Sequence, residues 1–111
     1  MKAPAKLLAL SAFSTSVVGV VACWYIVSRY EQAFEATTNG ESYSLVVERF
    51  GTPSVIELPG QEFSRYASKG CIEPCSVRAW WEHPVLRGIE AWSVEFNEKN
   101  QVIHTVHWVS P

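Results

Sequence analysis

The sequence predicts an N-terminal transmembrane helix followed by a small α+β domain, with two short helices packed on a three-stranded antiparallel sheet. Two observations lead to this fold class. Residues 7–27 of the 111-residue chain carry no charged side chain. After residue 41, helical spacing of apolar residues gives way to strand-like alternation. We therefore divide the chain into an anchor at 1–29, with a short cytoplasmic stub, and an extracytoplasmic domain at 30–111.

The uncharged segment is long enough to cross a membrane as a helix. Its sequence is LLALSAFSTSVVGVVACWYIV, and at 1.5 Å per residue such a helix spans about 31 Å, close to the hydrocarbon thickness of a bilayer. Lys2 and Lys6 precede it, whereas only Arg29 closely follows it. Because basic residues favour the cytoplasmic side, we expect a single-pass signal-anchor in the bacterial inner membrane, with the domain in the periplasm.

Two other interpretations of this segment stay open. A cleaved secretory signal has a shorter apolar region, usually of about 7–15 residues. A lipoprotein signal is suggested by Val20-Val21-Ala22-Cys23, which resembles a lipobox and would place a lipid on Cys23. Trp24 to Val27 continue the apolar run beyond that cysteine, which favours the uncleaved anchor.

The sequence of the first part of the domain predicts helices. Residues 30–37 can prolong the membrane helix, and residues 42–50 have apolar side chains at i, i+3, i+4 and i+7. Ser42 is a suitable N-cap for this second helix. Gly51 suits the left-handed residue that ends a helix, and Pro53 prevents continuation.

The C-terminal third has the pattern of an antiparallel meander. Residues 77–83, 90–96 and 101–109 are predicted strands, and the polar segment 97–100 is a hairpin turn. Residues 54–58 can form a further short strand. In the segment 90–96 one face is predicted to carry Trp92, Val94 and Phe96, and the other Ala91, Ser93 and Glu95.

The order of these motifs resembles a known family. A short helix leads into Val46-Val47-Glu48-Arg49-Phe50-Gly51-Thr52-Pro53, and a later hairpin runs from Trp92 to Asn97 and returns at Val102-Ile103. Over residues 40–109 this layout is similar to the BamE/SmpA-like (SmpA/OmlA) family of small envelope proteins, whose best-known member assists the machine that inserts β-barrels into the outer membrane. The resemblance implies a protein-interaction module and not an enzyme, and no binding residue of the family is carried over.

Charge argues against nucleic acid as a partner. All eleven acidic residues are Glu and follow residue 30, whereas only six of the nine basic residues do, so the domain has a net charge near −5. Such a domain repels phosphate backbones. We expect no cofactor.

Two cysteines form the sharpest local motif, Cys71-Ile72-Glu73-Pro74-Cys75. In an oxidising compartment, cysteines four residues apart in a loop are most simply a structural disulfide. A redox-active pair and a metal site that adds His83 are the alternatives. A metal site of that kind lacks a fourth nearby ligand, so we predict no metal.

Adjacent tryptophans in the strand 77–83 suggest a contact surface. Trp80 and Trp81 must point to opposite faces of the sheet, so one of them is covered by the loop 61–76 or exposed. An exposed Trp beside Arg78 and His83 would anchor a partner. These four residues are our predicted partner-binding candidates.

The expected function is that of a non-catalytic, membrane-anchored envelope protein. Its domain would bind another envelope protein as an assembly or scaffold module, and residues 7–27 would anchor the protein in the membrane. The alternative is an accessory subunit of an inner-membrane complex that acts mainly through its transmembrane helix.

Overall fold

The computed structural model describes residues 5–110, with side chains described from residue 17 onward. Its four strands form one antiparallel sheet in the order β1-β2-β3-β4. The elements are α1 (Ala5–Ala36), α2 (Tyr43–Phe50), β1 (Val55–Glu57), β2 (Val77–Glu82), β3 (Glu90–Phe96) and β4 (Val102–Val109). The prediction of a three-stranded sheet is wrong, because β1 pairs along β2 and adds a fourth strand.

The helix α1 departs from the predicted anchor. It is one continuous helix of 32 residues, and its end belongs to the domain, since Val27 and Tyr30 pack against the main core. Across the residues described, no helix is both long and apolar enough to cross a membrane. That finding corrects the prediction of a transmembrane helix at 7–27. The predicted cytoplasmic stub falls largely outside the described residues, which begin at residue 5.

The helix α2 begins and ends as its sequence predicts. The Ser42 hydroxyl accepts a hydrogen bond from the backbone N–H of Leu45, which satisfies one of the free donors of the first turn. At the other end Gly51 has φ of 96° and donates its N–H to the carbonyl of Val47. Residues with a side chain rarely adopt that φ. The glycine therefore turns the chain from α2 toward β1.

The main core lies between the helices and one face of the sheet. Ring contacts fill it: Phe50 stacks on Trp81 at 4.2 Å, and Tyr30 lies 5.3 Å from Trp92, measured between centroids. The predicted alternation of β3 is confirmed, since its large residues all face this core. The buried members of the core are Ala33, Val46, Phe50, Ala79, Trp81, Trp92, Val94, Phe96 and Val102.

A second, smaller core covers the opposite face of the sheet. Its centre is Trp80, which is fully buried. The loop 61–76 supplies the cover, because Phe63 and Tyr66 lie 5.3 Å and 5.5 Å from the Trp80 ring. Trp108 of β4 completes the layer at 5.7 Å. Both faces of the central strands β2 and β3 are thus largely shielded from water.

Candidate functional site

All four predicted partner-binding residues lie inside the domain. The exposed fraction is 5% for Arg78, 0% for Trp80, 0% for Trp81 and 8% for His83. The two tryptophans do point to opposite faces, as predicted, but the loop 61–76 covers the outer one. The prediction of an exposed Trp that anchors a partner is therefore wrong, because none of these four side chains is accessible.

Arg78 and Trp80 instead surround a buried carboxylate. Glu57 is fully buried, and its Oε1 accepts hydrogen bonds from Nε of Arg78 at 2.7 Å and from Nε1 of Trp80 at 2.8 Å. Its Oε2 accepts from Nη2 of Arg78 at 3.0 Å and from the backbone N–H of Cys71 at 3.2 Å. One side chain thereby ties β1 and β2 to the covering loop.

The charge state of Glu57 follows from these contacts. Burial raises the pKa of its carboxyl, but the hydrogen bonds from Arg78 and Trp80 outweigh it, so the net pKa is lowered. The group stays ionised at neutral pH. Its two carboxylate oxygens together accept four hydrogen bonds from the protein. We therefore assign Glu57 a structural role and not a role in acid–base chemistry.

The cysteine pair is confirmed at disulfide distance. The sulfurs of Cys71 and Cys75 lie 2.14 Å apart, and both residues are 4% exposed. Within the residues whose side chains are described, no group of three His, Cys, Asp or Glu could hold a metal ion. Since the backbone N–H of Cys71 also binds Glu57, the small ring fixes the end of the covering loop.

His83 shapes the loop between β2 and β3. Its Nδ1 accepts hydrogen bonds from the backbone N–H groups of Val85 at 3.1 Å and Leu86 at 2.9 Å. This pattern holds the two apolar residues on the surface, where Val85 is 70% and Leu86 43% exposed. His83 therefore acts by positioning an exposed apolar loop rather than by contacting a partner itself.

Among the residues whose side chains are described, an exposed apolar surface combines this loop with the outer side of α1. On the helix, Val17, Val20, Val21 and Trp24 follow the i, i+3, i+4, i+7 spacing of a single face, and Trp24 is 70% exposed. We call the whole patch the α1–loop surface. Its members are Val17, Val18, Val20, Val21, Trp24, Tyr25, Val85 and Leu86.

The helix and the loop meet in a groove of about 620 Å³. Cys23 lines it from the helix and is a free cysteine. Lipidation of Cys23 stays a prediction. Gly19 also lines the groove, and a Cβ placed there would meet nothing within 4 Å. Trp24 of the helix and Val85 of the loop also line the groove.

The polarity of the same helix face changes abruptly. One to three turns further on, the stripe that carries Val21 and Trp24 continues as Ser28, Glu31 and Glu35. Both glutamates are exposed. The change from apolar to polar side chains along this face falls near residues 25–28.

The α1–loop surface is large for a small domain. Side-chain areas of roughly 60–120 Å² for aliphatic and 150–250 Å² for aromatic residues, scaled by the exposed fractions, give on the order of 600 Å² of apolar surface. The largest apolar patch on a typical monomer covers about 300–600 Å² and is often functional, so this surface lies at the upper end of that range. The apolar composition of the helix segment predicted a membrane span and therefore gave no sign of a protein surface. The exposed loop residues Val85 and Leu86 carry no periodic signal.

Comparisons of the chain with protein-family models, with curated proteins and with solved structures found no match.

Proposed function

We propose that this chain is a non-catalytic protein-binding module of an oxidising, extracytoplasmic compartment such as the periplasm. The α1–loop surface is the contact site for its protein partner. The single observation that carries the proposal is the contiguous apolar surface around Trp24 and Leu86, which are 70% and 43% exposed. Burying such a surface against a partner removes apolar area from water and is the main favourable term in association.

The size of this surface fits one side of an ordinary protein interface. A standard interface buries about 800 Å² per partner, of which roughly 57–65% is apolar. The apolar part expected of one side is therefore close to that of the α1–loop surface. Trp24 and Tyr25 supply aromatic side chains, the type most enriched among residues that dominate binding energy.

Compartment and family resemblance support the same proposal. Cys71 and Cys75 lie at disulfide distance, and such pairs persist where thiols are oxidised. The resemblance to the BamE/SmpA-like family adds the expectation of an envelope interaction module.

Photo-crosslinking in cells tests the contact site directly. We would place a photoreactive amino acid at Val21 or, as the matched control, at Gln32, which lies on the polar continuation of the same helix face. We expect a defined crosslinked protein from position 21 and none from position 32. Mass spectrometry of the crosslinked band identifies the partner.

Charge substitutions then separate binding from folding. Val21→Glu and Leu86→Glu should each weaken capture of that partner at least tenfold, about 1.4 kcal/mol. Gln32→Glu adds the same charge outside the surface and should leave capture unchanged. All three chains should melt alike. Capture that survives both substitutions, or crosslinking of position 21 to lipid alone, would overturn the proposal.

A further inference from the structure

The two edges of the sheet differ in how well they are protected. The edge strand β1 has three residues and is flanked by Pro53 and Pro59, features that prevent further strand pairing. The other edge strand, β4, has eight residues and contains no proline, lysine, arginine or glutamate. An edge of this length and composition is a template for another strand.

Hydrogen bonding shows which groups of β4 face outward. Ser110 donates its N–H to the carbonyl of Ile89, so residues of β4 at even spacing from Ser110 bond to β3. Thr105, His107 and Val109 lie at odd spacing. Their N–H and C=O groups therefore point away from β3, toward the free edge.

The beginning of β4 already has a neighbour on that side. Gly40 donates its N–H to the carbonyl of Val102, and Val102 donates its N–H to the carbonyl of Glu41. Ser42 also forms a bridge with Gln101. Through the part of the chain that the structure describes, this cover stops at Val102. The free edge is thus confined to residues 105–109.

We propose that two copies of the chain join along this free edge, with their β4 strands antiparallel and centred on His107. Thr105 of each copy then pairs with Val109 of the other, and His107 pairs with its own counterpart. Each outward pair exchanges two backbone hydrogen bonds, about six in total. The inference is independent of the α1–loop surface and adds a second interface to the proposed function.

The side chains at the outward positions and the two-fold symmetry of the pairing both favour a second copy of the chain as the partner of the β4 edge. The outward positions bring no two carboxylates or ammonium groups together, and each central imidazole has a hydrogen-bond partner in its own chain, since Nε2 of His107 lies 2.9 Å from Oε2 of Glu90. Thr and Val, both β-branched, suit directly opposed strand positions. A two-fold pairing uses both open edges at once. The protected β1 edges then lie at both ends of an eight-stranded sheet, so assembly stops at two.

Sedimentation and hydrogen exchange test the pairing. We would use the full chain carrying Val21→Glu, which removes association through the α1–loop surface. We expect a mass twice that of one chain, and slow amide exchange at Thr105, His107 and Val109 that quickens on dilution. Amides of the β4 residues that bond to β3 should exchange slowly at every concentration.

A proline at the edge provides the matched variant. Thr105→Pro removes an outward N–H without removing a bond to β3, so the chain should become monomeric while keeping its melting temperature within a few degrees. Thr105→Val keeps the N–H and should remain dimeric. A monomer in the Val21→Glu chain, or a dimer that survives Thr105→Pro with fast outward amides, would overturn the inference. Neither result affects the tests of the α1–loop surface.

Discussion

Glu57 and Arg78 form a two-point ion pair in the interior of the domain, with Nε to Oε1 at 2.7 Å and Nη2 to Oε2 at 3.0 Å. Nη2 of Arg78 also donates to the carbonyl of Lys69 at 2.8 Å. The pair thereby connects β1 and β2 to the loop that covers Trp80.

Removing one partner of this pair should be costly. Glu57→Gln leaves the Arg78 guanidinium buried without its counter-charge, and breaking a buried pair in this way costs about 3–5 kcal/mol. Urea unfolding followed by tryptophan fluorescence measures the loss. Glu62→Gln, at an exposed position of the loop, should change the free energy of unfolding by less than about 0.5 kcal/mol. Equal effects of the two substitutions would contradict this role.

Acid should destabilise the domain through two carboxyls. Hydrogen bonding from Arg49 lowers the pKa of Glu41 to about 2, and the pKa of Glu57 is also lowered. A group whose pKa is lower when folded stabilises the protein above its unfolded pKa, and that stability is lost as pH falls. The melting temperature should therefore decline from near pH 4.5 toward pH 2. Glu41→Gln should flatten the decline, and an unchanged profile in that variant would exclude Glu41 as a cause.

The disulfide should contribute a modest part of the stability. For a ring this small the chain-entropy model gives about 2 kcal/mol. Replacing Cys71 and Cys75 together by Ser should lower the free energy of unfolding by that amount and speed amide exchange in residues 61–76. Cys23→Ser is the control and should have no effect on either. Mass spectrometry of the non-reduced chain should find the 71–75 peptide two hydrogens lighter; free thiols there would refute the assignment.

Both buried tryptophans should matter for folding. Trp80→Ala and Trp81→Ala each leave a cavity and should cost about 3–5 kcal/mol. Trp81→Phe keeps a ring against Phe50 but loses the hydrogen bond from Nε1 to the carbonyl of Gly51, which should cost about 1 kcal/mol. Trp24→Ala, on the exposed helix face, should leave thermal unfolding nearly unchanged. A stable Trp80→Ala chain would show that the loop does not cover that ring.

Arg29 should hold the two helices together. Its Nε and Nη2 donate to the carbonyls of Arg49 and Glu48, at 2.9 Å and 3.1 Å, where α2 ends. A cation at this position satisfies free carbonyls and complements the helix dipole. Arg29→Met keeps the aliphatic stem and should lower the free energy of unfolding by about 1 kcal/mol. Arg87→Met, at an exposed loop position, is the matched control and should be neutral in chemical denaturation.

Local signals predicted much of the fold. The period-two pattern of 90–96 and the cap at Ser42 depend on neighbours in sequence, so both could be recognised without a structure. The ion pair of Glu57 with Arg78 joins residues 21 positions apart, and no local pattern marks it. For the outer Trp, cover by the loop and exposure both stayed open for the same reason, although Phe63 and Tyr66 in an otherwise polar loop were an available hint of cover.

The segment 7–27 shows a different limit of prediction from sequence. Apolar composition predicts that a helix is removed from water, but it does not specify what removes it. Val27 illustrates the point, because the residue taken as the end of a membrane span packs against the main core instead.

The continuity of α1 has a mechanical consequence. A helix of 32 residues is about 48 Å long, and its last turns are embedded in the domain through Tyr30 and Ala33. Neither glycine nor proline occurs between Trp24 and that embedded end. The domain is thus joined to the outer part of α1 by a continuous helix and not by a flexible linker. A molecule bound to the outer part of α1 would therefore determine the position and tilt of the sheet relative to itself. A rotation of the helix about its axis would rotate the β4 edge by the same angle.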